Sequence, residues 1–170
     1  MIVMDVEHHD VKKAVIAAYS FFSGAVNFLV LGIPKDWNLL VNRVPPEVLR
    51  YRVVGNHAWV TSGYVTHAIT FEDKAILGLE INVSPKKSNK NKYKLIKTIR
   101  EGEVYIHGHK ASYIVGEFEK GIISKTTFSA MRISYYCEFT RRWIEIYFIG
   151  KDIETYHDEI LFSIPQTTCH

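Results

Sequence analysis

The middle of the chain alternates short runs of β-forming residues with tight turns. Three runs, Ala58–Thr61, Tyr64–Phe71 and Ala75–Val83, are rich in β-branched and aromatic residues. Ser62–Gly63 separates the first two runs, and Glu72–Lys74 separates the last two. Connections this short join antiparallel neighbours, because a parallel crossover needs a dozen or more residues. The pattern therefore predicts an antiparallel meander.

Similar runs continue on both sides of the meander. Continuous or alternating apolar residues predict further strands. These strands cover residues 25–31, 39–41, 48–54, 103–107, 109–118, 122–128, 131–139 and 143–149.

Three segments carry helical spacing instead. Apolar residues recur every three to four positions over 11–22, with Asp10 as N-cap and Gly24 as the stop. A second helix is predicted from Ser88 or Asn89 through Arg100, and a third from Asp152 to about Ser163. The predicted fold class is α+β, with one large twisted antiparallel β-sheet flanked by helices.

The chain has 170 residues, of which 47% are hydrophobic, and this favours a single domain over 1–170 with its own core.

Residues 14–33 contain no charge and are long enough to cross a bilayer. Ser20, Ser23 and Asn27 interrupt this stretch, so we predict a buried helix followed by a buried strand, with no membrane span. The first ten residues lack a basic signal-peptide region, and a cytoplasmic location is expected.

Two cysteines, Cys137 and Cys169, are present. The chain has a single Gln and many Lys, a bias typical of a thermophilic organism, in which intracellular disulfides persist. A bond between the two cysteines would close a loop of roughly 30 residues and stabilise the fold by about 3 kcal/mol. As an alternative, Cys169 and His170 could chelate a soft metal together with Cys137.

Three stretches taken in order resemble the Mog1/PsbP-like superfamily. They are "GIPKDW" (32–37), "VYIHGHKASY" (104–113) and "RRWIEIYFIG" (141–150) followed by "YHDEILFSI" (156–164). The family's motif positions fall on Pro34 and Trp37, on Gly108 and Ala111, and on 160–164. The resemblance implies an antiparallel sheet flanked by helices and a role in binding or assembly, with no shared catalytic residue. It begins near residue 25, and the helix predicted at 11–22 departs from it.

Two of the eight histidines, His107 and His109, lie one residue apart around Gly108. If both stood on one strand they would share a face and could supply half of a metal site or an acid–base pair. No third ligand follows at fixed spacing, and a His-Gly pair can also form a tight hairpin turn. A turn with exposed imidazoles is the simpler interpretation.

Two further surfaces could bind a partner. The stretch 86–100 carries seven basic residues and no acid, and Lys90, Lys94, Lys97 and Arg100 could contact phosphates. No nucleic-acid motif accompanies them, so nucleic acid is not the expected partner. Aromatic residues on a concave sheet face could hold a small apolar ligand. The candidates are Tyr105, Tyr113, Tyr135, Tyr136 and Trp143.

The sequence contains no catalytic or nucleotide-binding motif, so the leading hypothesis is a non-enzymatic binding or assembly module without a cofactor. Its partner would be a protein or a small apolar ligand, and a homo-oligomer fits this hypothesis. Two alternatives stay open: an enzyme that uses His107 and His109 with a metal or in acid–base chemistry, and a weak nucleic-acid binder through Lys86–Arg100.

Overall fold

The computed structural model describes residues 10–41, 49–85 and 91–170. Within these ranges the chain forms ten strands and then a short helical region. The strands are β1 (Val11–Ser20), β2 (Gly24–Pro34), β3 (Trp37–Val41), β4 (Arg50–Val54), β5 (His57–Phe71), β6 (Lys74–Ser84), β7 (Lys94–Ile106), β8 (His109–Lys120), β9 (Thr126–Cys137) and β10 (Arg142–Ile149). Helix α1 spans Ile153–Ser163, and a 3-10 turn at Ile164–Gln166 follows it.

The strands belong to one mixed sheet with the order β1-β2-β5-β6-β10-β9-β8-β7. All pairings are antiparallel except β2 with β5, which run parallel where Asn27 meets Trp59. β5 is the central strand, because its first half pairs with β4 and its second half pairs with β3 and β6. The predicted antiparallel pairing of 64–71 with 75–83 is confirmed as the hairpin of β5 and β6. The turn predicted at Ser62–Gly63 is wrong, because β5 runs without a break from His57 to Phe71. The strands predicted at 122–128 and 131–139 are likewise one strand, β9, which begins at Thr126.

The predicted α+β fold class is wrong. The described residues form a large sheet with one α-helix, rather than a sheet flanked by helices. The segment 11–22 is strand β1 and its turn, although its apolar spacing fits a helix. A short apolar run fits either structure, and here pairing with β2 buries Ile16 and Ala18 on alternate positions of a strand.

The second predicted helix is also wrong. Residues 94–100 belong to β7, which pairs with β8 along its length, while 86–90 lie outside the described residues. The β-branched residues Ile96, Thr98 and Ile99 favour this extended backbone. The third predicted helix is confirmed as α1, and Ile153 and Ile160 on it join the core.

The two halves of the sheet share one hydrophobic core. Residues of β1, β2, β5, β6, β8, β9, β10 and α1 contribute to it. A smaller cluster is formed by Phe118, Ala130 and Tyr147. Among the described residues, no helix reaches the length and apolarity that crossing a membrane requires.

The chain beyond α1 returns to β2. Val30 and Thr168 exchange backbone hydrogen bonds of 2.9 and 2.8 Å, and the Thr167 hydroxyl accepts from the Gly32 amide at 2.9 Å. A Cβ at Gly32 would lie 2.3 Å from the Ser163 carbonyl oxygen, so only glycine permits this close approach. These contacts fix the position of the last residues, 167–170, which we call the tail.

A buried arginine joins the tail to the sheet. Arg142, at the start of β10, is fully buried. Its guanidinium donates to the carbonyl oxygens of Phe28, Val60 and Cys169 and to the Thr140 hydroxyl. It also lies 5.0 Å from the centre of the Trp59 ring. Among the described residues, these four acceptors include no carboxylate. Burial lowers the pKa of Arg142 to about 10.

Replacing Arg142 by Met should destabilise the fold strongly. The change leaves three buried carbonyl oxygens without their donor, which we expect to cost on the order of 3 kcal/mol or more. Chemical denaturation followed by circular dichroism measures this. The exposed neighbour offers a matched control, since Arg141→Met should change the free energy of unfolding by about 0.5 kcal/mol or less. Equal effects of the two substitutions would contradict the role of Arg142.

Candidate functional site

The two neighbouring histidines lie at the hairpin between β7 and β8. His107 and Gly108 form its turn with φ angles of 46° and 80°, and both positive values are required in a type I′ turn. β7 ends at Ile106 and β8 begins at His109. The predicted hairpin turn is therefore confirmed. His107 occupies the turn itself, so the two imidazoles do not stand on a common strand.

The tail brings a third histidine to this hairpin. The ring of His170 lies 4.9 Å from that of His107 and 6.0 Å from that of His109, centre to centre. Its other side stacks on Phe139, in the turn between β9 and β10, at 4.5 Å. The imidazoles therefore do not stand alone in solvent.

Both cysteines lie at the same place. Cys137 ends β9, Cys169 belongs to the tail, and the structure joins them in a disulfide with their Cα atoms 6.4 Å apart. Both side chains are fully buried. Arg142 helps to hold this geometry, because its guanidinium donates to the Cys169 carbonyl oxygen at 2.8 Å.

Sulfur and nitrogen atoms converge around the disulfide. The Sγ atom of Cys169 lies 3.5 Å from Nε2 of His109 and 3.3 Å from Nδ1 of His170. The Sγ atom of Cys137 lies 3.8 Å from the same His170 nitrogen. All four potential ligand atoms lie within 4.8 Å of one another. We call His109, Cys137, Cys169 and His170 the Cys2His2 cluster.

The surroundings favour neutral imidazole at the end of the tail. Partial burial lowers the pKa of His170, and the neighbouring His107, His109 and Arg142 lower it further by charge repulsion. Neutral imidazole is the form that presents a free nitrogen lone pair. His107 lies beside the Cys2His2 cluster but is not one of its four ligand-bearing residues.

A cleft of about 740 Å³ opens beside the cluster. Three predicted ligand-binding residues line it: Tyr135, Tyr136 and Trp143. His107, His109 and His170 also line it. The other polar residues of its wall are Glu103, Lys110, Ser112, Ser134 and Glu138. The cleft is thus more polar than a site for a small apolar ligand would be.

The other two predicted aromatic residues lie elsewhere. Tyr105 on β7 is exposed and is not among the residues that line the cleft. Tyr113 packs over Gly102 and against His157 of α1, with ring centres 5.7 Å apart. Its position is explained by core packing.

The basic residues predicted to contact phosphates do not form a helix face. Lys94, Lys97 and Arg100 are exposed on β7, and Lys90 lies outside the described residues. The strand register places Glu119 opposite Lys94 and Glu117 opposite Lys97. These carboxylates reduce the positive field on which phosphate binding depends.

No protein-family model matches the chain, and comparison with curated proteins finds no match to it. The resemblance to the Mog1/PsbP-like superfamily therefore stays a prediction.

The cross-link gives a direct prediction. Protein purified without reductant and unfolded in guanidinium should show no reactive thiol, and two per chain after reduction. Cys137→Ser should cost about 3–4 kcal/mol of stability, because the bond spans 32 residues. The double variant Cys137→Ser/Cys169→Ser is the matched control and should lose no more, since both variants lack the same bond. Two thiols before reduction would contradict the disulfide.

Proposed function

We propose that this protein is a metal-binding module that holds a zinc-type ion in the Cys2His2 cluster when its two cysteines are reduced. The observation that supports this is the convergence of two cysteine sulfurs and two imidazole nitrogens within 4.8 Å. Two thiolates with two imidazoles are a common ligand set for tetrahedral Zn²⁺ in proteins.

The sulfur–nitrogen distances fit such a site. Bond lengths of about 2.3 Å to sulfur and about 2.05 Å to nitrogen place S and N about 3.6 Å apart in a tetrahedron. Three of the four observed distances are 3.3, 3.5 and 3.8 Å, and the fourth, between the Cys137 sulfur and a His109 nitrogen, is within 4.8 Å. Two thiolates on one zinc stand about 3.8 Å apart, so metal binding requires that the disulfide be broken.

The metal-bound and disulfide forms therefore exclude each other. A dithiol reductant supplies two electrons and two protons, breaks the Cys137–Cys169 bond and leaves as a disulfide itself. Zn²⁺ then displaces one proton from each thiol, and His109 and His170 complete its coordination. Both sulfurs are buried, so the ion would be shielded from water on their side, whereas the exposed His170 would hold it from the side of the cleft.

Four protein ligands leave no open coordination position. A catalytic zinc site usually keeps one position for water or substrate. A binding or stabilising role therefore fits this cluster better than the enzyme hypothesis centred on His107 and His109. Metal binding would also fix the tail to the β7–β8 hairpin, as the disulfide fixes it to β9.

The proposal is tested on protein reduced under denaturing conditions and refolded without oxidant. Native mass spectrometry should show one Zn²⁺ per chain, and none in the disulfide form. Co²⁺ should give the intense visible spectrum of a tetrahedral site with thiolate ligands.

Variants distinguish the cluster from adventitious binding. Cys137→Ser and His109→Ala should weaken Zn²⁺ binding by at least about ten-fold, because each removes a ligand. His57→Ala, at an exposed histidine on β5, is the matched control and should bind normally. Refolded dithiol protein without stoichiometric zinc, or equal losses in His57→Ala and His109→Ala, would contradict the proposal.

A further inference from the structure

The outer edge of β1, together with the turn that follows it, is a second surface that could bind a partner. β1 ends the strand order, and within the described ranges no strand pairs with its outer edge. An unpaired edge exposes a row of backbone donors and acceptors that can pair with another strand. Proteins usually protect such edges with charges, prolines or bulges.

The two ends of the sheet differ in this protection. β7, at the opposite end, carries several charged residues, and its pairing with β8 is interrupted by two register shifts. β1 carries Lys12 and Lys13 near its start and no charge from Ala14 to Ser20. The one irregularity in its pairing places the extra residue, Phe28, on β2, so the backbone of β1 itself is regular.

The exposed side chains of this edge are apolar. Along the outward face of β1, Val15 is 62% exposed and Tyr19 is 83% exposed. Phe21 and Phe22, in the turn, are 96% and 91% exposed and contact each other edge to face. Four large apolar side chains close together on one edge mark a surface that excludes water when it is covered.

We propose that β1 is the interface of a two-fold homodimer, in which β1 of one copy pairs antiparallel with β1 of a second copy, with Ile16 opposite Ile16. An isologous interface requires a self-complementary surface, and a strand that pairs antiparallel with its own copy meets this requirement. The sheets of the two copies become continuous across the interface.

Separation of like charges favours this register. With Ile16 on the two-fold axis, Lys13 lies opposite Tyr19 of the second copy, and Lys12 lies opposite Ser20. The lysines of the two copies are then kept apart, and each Lys13 can contact an aromatic ring. A register shifted by one residue would place outward side chains of one copy opposite inward side chains of the other. A two-fold axis nearer Lys12 would bring the lysines of the two copies together.

Sedimentation velocity of the full chain, with and without dithiothreitol, tests whether the dimer forms. Protein concentrations of about 5–200 µM suit the micromolar affinity expected of a small interface. The wild type should reach twice the chain mass at the upper concentrations. Val15→Lys should be monomeric with an unchanged circular dichroism spectrum, because Val15 faces solvent in the single chain. Ile123→Lys is the matched control, at a fully exposed apolar residue of the β8–β9 connection, and should dimerise normally.

A charge exchange tests the register. Tyr19→Lys places two lysines opposite each other and should weaken dimerisation by about ten-fold. Adding Lys13→Glu should restore it, because the carboxylate introduced at position 13 then faces the ammonium introduced at position 19 of the second copy. A protein that stays monomeric at the highest concentration, a dimer that Val15→Lys leaves intact, or failure of the double variant to recover would overturn the proposal. Flotation of monomeric protein with phosphatidylcholine–phosphatidylserine vesicles would assign the edge to a lipid surface and overturn it too.

Discussion

The buried guanidinium of Arg142 connects three parts of the chain that are distant in sequence. It donates to carbonyl oxygens in β2, in β5 and in the tail. A charge in this position is costly to desolvate, and hydrogen bonds together with the face of Trp59 compensate it. Because the Cys169 carbonyl is one of the three acceptors, Arg142 also holds the tail in its docked position.

The candidate site depends on this docking. Cys169 and His170 contribute two of the four groups in the Cys2His2 cluster, and both come from the tail. His109 comes from the first residue of β8, next to a rigid turn, and Cys137 from the last residue of β9. Strand ends position these two groups, while Arg142 and the β2 backbone position the tail. Under the proposed function, disulfide and metal would be two ways of closing the same arrangement, and the redox state of the cysteines would select between them.

Much of the strand pattern could be predicted from the sequence, because short connections and β-branched runs permit few alternatives. The segment 11–22 could not, since Ala and Val at its spacing satisfy both a helix and a strand. What decides in favour of β1 is pairing with β2, a contact that local sequence does not encode. The same reason applies to 94–100, where β8 supplies the pairing partner.

The sequence grouped three of the four residues of the site, Cys137, Cys169 and His170, as a candidate soft-metal site, and it placed His109 in a separate candidate with His107. His107 and His109 stood out by their spacing, and the Cys137–Cys169 pair by count. Nothing in the spacing of Cys169 or His170 indicated that the tail returns to β2 and meets the β7–β8 hairpin. One signal was present in strand β10, where Arg142 falls on the same alternating face as Ile144, Ile146 and Phe148. An arginine on a core face predicts a buried cluster of acceptors.

X-ray absorption at the zinc edge, on dithiol protein refolded with one equivalent of Zn²⁺, shows whether both cysteine sulfurs bind the ion. Coordination by the Cys2His2 cluster predicts two sulfur scatterers at about 2.3 Å and two nitrogen scatterers at about 2.05 Å. A first shell made only of nitrogen and oxygen would contradict it, because the ion would then be held by histidines or carboxylates away from Cys137 and Cys169.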